Sequence, residues 1–205
     1  MPEMTKTEKF FVNRRGLKSL SRLLDKLERS GQISLTSSSS VLELGGGNGK
    51  LSLLVNERYH PARIHLTDYD RDQLAVAQAT LARQYGSIPP SIRLERGDAT
   101  RLQYADEAFD FVIAHLMLHH LGGVPELLRG LDEVNRVLRP GGRFFYVEMF
   151  HKQEIREHLA QIGLAITFHE RKRRWLNTMD IVVAVKPMGP TAASATRIPL
   201  GAPGV

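Results

Sequence analysis

The chain has 205 residues, 42% of them hydrophobic, which fills one core and does not demand a second domain. Its formal charge of +6 admits an acidic partner such as nucleic acid, anionic lipid or a phosphorylated molecule without requiring one. It contains no cysteine, so disulfides, thiolate metal sites and cysteine nucleophiles are excluded.

The first residues, MPEMTKTEKF, carry charge and no apolar run, so no secretory signal is visible. No stretch approaches the ~20 apolar residues that a bilayer crossing needs, and the expected location is cytoplasmic. Residues 10 to 28 place Leu17, Leu20, Leu24 and Leu27 on one helical stripe between charged residues, predicting an amphipathic leading helix. The polar connector GQISLTSSSS follows. VLEL at 41 to 44 reads as a first strand, and Leu51, Leu54 and Val55 mark a helix directly after its glycine loop. RIHLTD at 63 to 68 is a second strand. In DRDQLAVAQATLARQYG, Asp70 caps a helix, Gln73 completes a capping-box-like pair with it, and Gly86 ends the helix.

SIRLERGDA at 91 to 99 is a third strand running into a loop. FDFVIAHL at 109 to 116 is a fourth, apolar along nearly its whole length as a strand covered on both faces should be. Residues 125 to 138 carry Leu127, Leu128, Leu131, Val134, Val137 and Leu138 at helical spacing until RPGG stops them. RFFYVEMF is a fifth strand, KQEIREHLAQIG a shorter helix, and LAITFHERKRRW and DIVVAVKP two final strands. Composition divides the chain into an N-terminal helical segment and linker at 1–40, a core at 41–187, and a Gly-, Pro- and Ala-rich tail at 188–205 expected to be disordered.

Strands alternating with helices imply a parallel sheet with helices on both faces. Such sheets bind ligands beyond the carboxyl ends of their strands, where strand order reverses. The loops at 45 to 49, 68 to 70, 98 to 100, 115 to 121 and 148 to 151 each follow a strand, so all five are expected on one rim.

The first of these loops belongs to VLELGGGNGK, in which four glycines arrive within five positions after the acid Glu43. Each glycine loses much backbone freedom on ordering, so such a run suits a ligand lying close to the chain. Asp68 ends the second strand 19 residues after Gly49, where an acid can grip a ribose diol; capping the next helix is its alternative role. A glycine loop and an acid fit a dinucleotide or S-adenosylmethionine. A dinucleotide fingerprint, G-x-G-x-x-G, would place a third glycine where Lys50 stands, whereas Glu43, Gly45, Gly47 and Gly49 alternate strictly. An acid beside the loop would repel a pyrophosphate and attract a sulfonium or ammonium group.

From Val41 to Val147 the sequence resembles the class I S-adenosylmethionine-dependent methyltransferases, especially the small-molecule enzymes of the ubiquinone and menaquinone type. The resemblance is carried by VLELGGGNG, TDYD, GDAT, FDFVIAHLMLHHL and LRPGGRF, five motifs in order. It implies a single Rossmann-like, seven-stranded, mostly parallel sheet with the last strand antiparallel. It also implies S-adenosyl-L-methionine as cofactor and S-adenosyl-L-homocysteine as product. On this resemblance Gly45, Gly47 and Gly49 let the methionine portion approach the backbone, and Glu43 helps hold its ammonium. Asp68 would bond the ribose hydroxyls, Tyr69 would pack near the adenine, and Asp98 beside Ala99 would receive the adenine amino hydrogens. His115 would lie near the sulfonium. Asn48 departs from the family's usual Thr or Ser and keeps the polarity. The leading helix is either a lid over the pocket or an ordinary packed helix.

Methyl transfer needs a base only if the acceptor must lose a proton. His115, His119 and His120 cluster after the fourth strand, where they would serve as proton acceptors or as residues that orient the loop. Glu148 is a further possible acceptor contact or structural residue. A small-molecule acceptor is expected. The basic run RKRR at 171 to 174 keeps RNA open as an alternative, although charge that protects a strand edge explains it as well. A non-catalytic binding module of the same fold is the remaining reading.

Overall fold

In the computed structural model, residues 14–174 and 177–189 are described; most of the tail expected to be disordered lies outside them. Helix α1 (Arg14–Arg29) leads into strand β1 (Ser40–Leu44), helix α2 (Lys50–Tyr59) and strand β2 (Arg63–Asp68). Helix α3 (Arg71–Tyr85), strands β3 (Ile92–Arg96) and β4 (Phe109–His115), and a short 3-10 turn at Leu118–His120 follow. The chain continues through α4 (Val124–Val137), β5 (Leu138–Glu148), α5 (Lys152–Gln161), β6 (Ala165–Arg174) and β7 (Asn177–Val185). No helix among the described residues is long and apolar enough to cross a membrane.

The seven strands form one sheet in the order β3-β2-β1-β4-β5-β7-β6. Strands β1 to β5 pair in parallel, whereas β7 runs antiparallel to both β5 and β6. The last strand is thus the reversed one, as the family resemblance implied. Strand order turns back between β1 and β4, and their carboxyl ends open the crevice in which such sheets bind ligands.

Each face of the sheet is covered because the central strands are apolar on both sides. One face gathers Leu42, Leu44, Val112, Phe144 and Tyr146 under α4 and α5, all of them almost fully buried. The other gathers Val41, Ile64, Phe111, Ile113 and Phe145 under α1, α2 and α3. Helix α1 supplies Leu20, Leu23, Leu24 and Leu27 to that second layer, so the apolar stripe of the leading helix packs into the main core. Arg58 of α2 fixes it further by bonding Asp25 and Glu28 of α1.

Local chemistry sets the helix ends. Asp70 accepts from the Asp72 N–H at 2.8 Å as the N-cap of α3. Gly86 closes the same helix at φ 79, in the left-handed region that spares a glycine the clash of a Cβ. The expected partnership of Asp70 with Gln73 is replaced, because the Asp70 N–H donates to Asp68 Oδ1 at 2.9 Å and Gln73 lines the cavity described below. RPGG also differs from expectation. It ends α4 but lies within β5, where pairing with β4 shifts between Phe109 and Phe111 while Gly141 takes φ 79. The strand absorbs these residues as an irregularity and resumes pairing at Arg143.

Candidate functional site

The ends of β1, β2, β3 and β4 surround a cavity of about 630 Å³, within the size range of small-molecule sites. Glu43, Gly47, Asp68, Asp98, His115 and His120 all line it. Four of the five strand-end loops therefore meet at one place. The fifth, after β5, reaches the fourth through Glu148.

The glycine loop begins with Gly45 at φ 60 and Gly47 at φ 52, conformations that disfavour a side chain. Gly46 packs so tightly that a Cβ there would lie 2.4 Å from the Cγ of buried Leu66. The loop satisfies several of its own donors. The Gly46 N–H donates to the Thr67 carbonyl, the Gly47 N–H to Asp68 Oδ2 and the Gly49 N–H to the Gly46 carbonyl, each at 2.9 Å. The Lys50 N–H donates to Asn48 Oδ1 at 3.2 Å. A pyrophosphate-binding loop needs such N–H groups aimed at the ligand. Here these four are spent internally, which favours a ligand with no phosphate to recognise.

Gly45, Gly47 and Asn48 line the cavity. Gly49 stands behind them at φ 73 as the N-cap of α2, where a Cβ would come within 3.1 Å of Ala77 Cβ on α3. Its place is close helix packing rather than the cavity wall.

Glu43 brings a carboxyl into this wall although only 3% of the residue is exposed. Ser52 Oγ donates to its Oε2. Burial, the largest influence, pushes its pKa up to about 7, with the Ser52 hydrogen bonds opposing the rise and nearby Asp68 adding to it. A cation delivered into the cavity would favour the ionised form. Asp68 ties the glycine loop to the start of α3 through its bonds from the Gly47 and Asp70 N–H groups, and still lines the cavity. Its position combines loop-building with exposure to a ligand. Asp98 likewise accepts from the Thr100 N–H at 2.8 Å and hydroxyl at 2.7 Å, forming a turn at the cavity wall beside Ala99. Tyr69 is 67% exposed on the rim, with the Arg96 guanidinium 5.1 Å from its ring centroid.

His115 ends β4, and His119 and His120 follow it in the 3-10 turn with their rings side by side, 4.1 Å apart between centroids. His115 and His120 line the cavity, whereas His119 turns to Glu148. Burial pushes the His115 pKa down to about 4, although the Glu148 charge opposes the fall, so this ring is neutral at physiological pH. His119 Nδ1 lies 2.9 and 3.0 Å from the two Glu148 carboxylate oxygens.

Further residues line the cavity that sequence motifs did not single out one by one. Leu20 brings α1 to the cavity, Gln73 brings α3, and Leu116, Met117 and Leu121 make its apolar side. Leu20 and Gln73 were legible as helix residues, but their partner across the cavity lies far away in sequence. Met117 was hidden for the same reason: its side chain covers Gly45, where a Cβ would lie 2.7 Å from Met117 Cβ.

The residues present suit an adenosyl group bearing a cationic amino-acid tail. Gly47, where a Cβ would meet nothing nearer than 3.9 Å, admits close approach, Glu43 offers a carboxyl near the loop, and Asp68 and Asp98 offer acceptors to ribose and adenine donors. The basic run stands elsewhere, on the edge strand β6, where Arg171 bonds buried Asp180 and Lys172 lies 3.8 Å from Glu170.

Residues 42–146 match the family described as "Methyltransferase domain". Over 123 residues the chain is 33% identical to phthiotriol/phenolphthiotriol dimycocerosates methyltransferase 1 of Mycobacterium ulcerans, covering 60% of this chain and 42% of that protein. It is 32% identical over 118 residues to demethylmenaquinone methyltransferase of Lactiplantibacillus plantarum, covering 57% and 48%. The chain thus spans a little under half the length of these curated relatives. Among solved structures, a SAM-dependent methyltransferase from Methanosarcina mazei superposes with a TM-score of 0.65 at 19% identity, covering 76% of this chain and 95% of that one. The [4+2]-cyclase SpnF superposes with a TM-score of 0.71 at 20% identity, covering 84% and 83%. At such identities the likeness concerns the fold, and a fold alone does not choose the chemistry.

Proposed function

Because the chain belongs to the methyltransferase-domain family, we propose that it transfers a methyl group from S-adenosylmethionine to a small-molecule acceptor. The observation that carries this reading is the pairing of Glu43 with a glycine loop whose N–H groups at 46, 47, 49 and 50 are engaged within the protein. That combination suits a cationic ligand and opposes a pyrophosphate.

When bound, S-adenosylmethionine supplies a methyl group on a sulfonium whose leaving group is already in place. The protein's work is then alignment and exclusion of water. Gly45 and Gly47 would admit the methionine portion, Glu43 would hold its ammonium, and Asp68 and Asp98 would hold the nucleoside. Leu20, Leu116, Met117 and Leu121 make part of the cavity wall apolar, which shields the reacting centre. His115, neutral at physiological pH, adds no positive charge beside a sulfonium. His120 is the imidazole on the cavity wall best suited to accept a proton from an acceptor hydroxyl or amine.

RNA is the less supported acceptor, because Arg171 is held by Asp180 and Lys172 lies beside Glu170. The test is isothermal calorimetry with S-adenosylmethionine, S-adenosylhomocysteine and NAD. Binding of the first two and not the third is expected. Failure of both sulfur nucleosides to bind would overturn the reading, and tight NAD binding would replace it with a dehydrogenase. Uptake of labelled methyl from S-adenosylmethionine in extracts of small molecules, compared with extracts of RNA, then separates the acceptor classes.

A further inference from the structure

The segment from Leu116 to Leu121 joins the cavity to the end of β5 and holds an unfavourable backbone shape. Leu116 sits at φ 53, a left-handed conformation that a Cβ opposes sterically. Such a conformation persists only where its surroundings fix it. The Leu116 N–H donates to the Val147 carbonyl at 2.9 Å, Met117 lies over Gly45, and Leu118 is 1% exposed.

Glu148 completes the clamp. It is fully buried and accepts from the N–H groups of Met149 at 2.7 Å, Phe150 at 3.3 Å and His119 at 3.4 Å. It also faces His119 Nδ1 at 2.9 and 3.0 Å. Where the Glu148 carboxylate is ionised it can only accept, and the proton of this pair then sits on His119 Nδ1. The His119 ring lies 4.1 Å, centroid to centroid, from that of His120 and 4.9 Å from that of Phe150. Of the three rings, His120 is the one that lines the cavity.

We propose that Glu148 is a positioning residue: through His119 it locks the strained 116–121 loop and holds His120 toward the methyl acceptor. His119 is the wedge in this arrangement and His120 the ring that meets substrate. The kinetic consequence rests on the methyltransferase reading, whereas the structural consequence does not.

The test is nuclear magnetic resonance of the intact protein with ¹⁵N-labelled histidine, applied to wild type, Glu148→Gln, His119→Asn and His119→Ala. In wild type, His119 should show the Nδ1–H tautomer with a slowly exchanging ring proton. Glu148→Gln should abolish that signal and move the His120 resonances, leaving those of His158, whose ring pairs with Asp132 between α5 and α4, unchanged. With an acceptor in hand, kcat should fall on the order of 10- to 100-fold in Glu148→Gln, while S-adenosylhomocysteine affinity stays within about twofold. His119→Asn, whose amide can still donate to Glu148, should keep most activity and displace the His120 signals less than His119→Ala, which should lose activity. An unmoved His120 in Glu148→Gln, or a His119→Asn variant as inactive as His119→Ala, would overturn the proposal. Should Glu148→Gln fail to fold, the two His119 variants carry the same test. Wild type that binds no cofactor would sink the functional reading and leave the resonance measurements to stand or fall independently.

Discussion

Replacing Glu43 with glutamine should make the protein more stable at neutral and alkaline pH while weakening its grip on the cofactor. Burial raises the Glu43 pKa from 4.5 to about 7, with only 3% of the residue exposed. Between those values the folded chain retains a proton that the unfolded chain has released, so this group lowers stability as pH rises from 4.5 to about 7. At 1.36 kcal/mol per pH unit, the full effect above that window is about 3 kcal/mol. Glutamine has the same length, can still accept from Ser52 and cannot ionise. The difference in unfolding free energy between variant and wild type should therefore be under about 1 kcal/mol near pH 5 and grow to about 3 kcal/mol in favour of the variant near pH 8. Urea unfolding at the two pH values measures it, because other titrating groups cancel between the proteins. Calorimetry should show weaker S-adenosylmethionine binding by the variant. A difference that is flat with pH, or a variant less stable than wild type near pH 8, would refute the reasoning.

Three further outcomes are expected. Asp68→Asn presents an amide where one oxygen now accepts from the Gly47 or Asp70 N–H, and a bond to a charged acceptor is worth about 1.5–3 kcal/mol; S-adenosylhomocysteine binding should weaken about tenfold or more by calorimetry. Gly46→Ala places a methyl 2.4 Å from Leu66 Cγ in a packed interior, and thermal unfolding should report a loss of about 1–3 kcal/mol. Asp180→Asn removes the fully buried carboxylate that Arg156, His169 and Arg171 share. Denaturant unfolding should show a cost of about 3 kcal/mol, with nucleoside binding nearly unchanged because Asp180 lies away from the cavity.

The features of the site legible in the sequence were those that local chain chemistry announces. An apolar run ending in Gly, Asp or His marks a strand end, and parallel strands place such ends on one edge; hence Gly47, Asp68 and Asp98 share a wall. The apolar stripe of α1 predicted its buried face for the same reason of period. The reading of individual roles was coarser, because a residue's type does not state which neighbour it will meet. Asp68 was weighed as a ribose ligand or a helix cap, yet its carboxylate ties the Gly47 N–H to the Asp70 N–H while facing the cavity. Gly49, which the family resemblance assigns to the cofactor loop, also spaces α2 from Ala77. The adjacent His119 and His120 part only at the turn at Leu118–His120, which sends His119 to Glu148 and His120 to the cavity. The contributions of Leu20 and Met117 depend on contacts across the fold that no spacing along the chain encodes.

The place of β7 has a consequence for how the molecule is made. This strand is the last of the seven among the described residues, yet it lies between β5 and β6. A ribosome delivering the chain from its amino end must therefore release residues up to Val185 before the flank of β5 from Arg143 to Glu148 gains its partner. Until then Phe144, Phe145 and Tyr146 sit on an open ladder, the kind of template on which two nascent chains can join. Synthesis halted within β6 should leave an assembly-prone fragment, and the nine residues of β7 act as the closing stitch of the sheet.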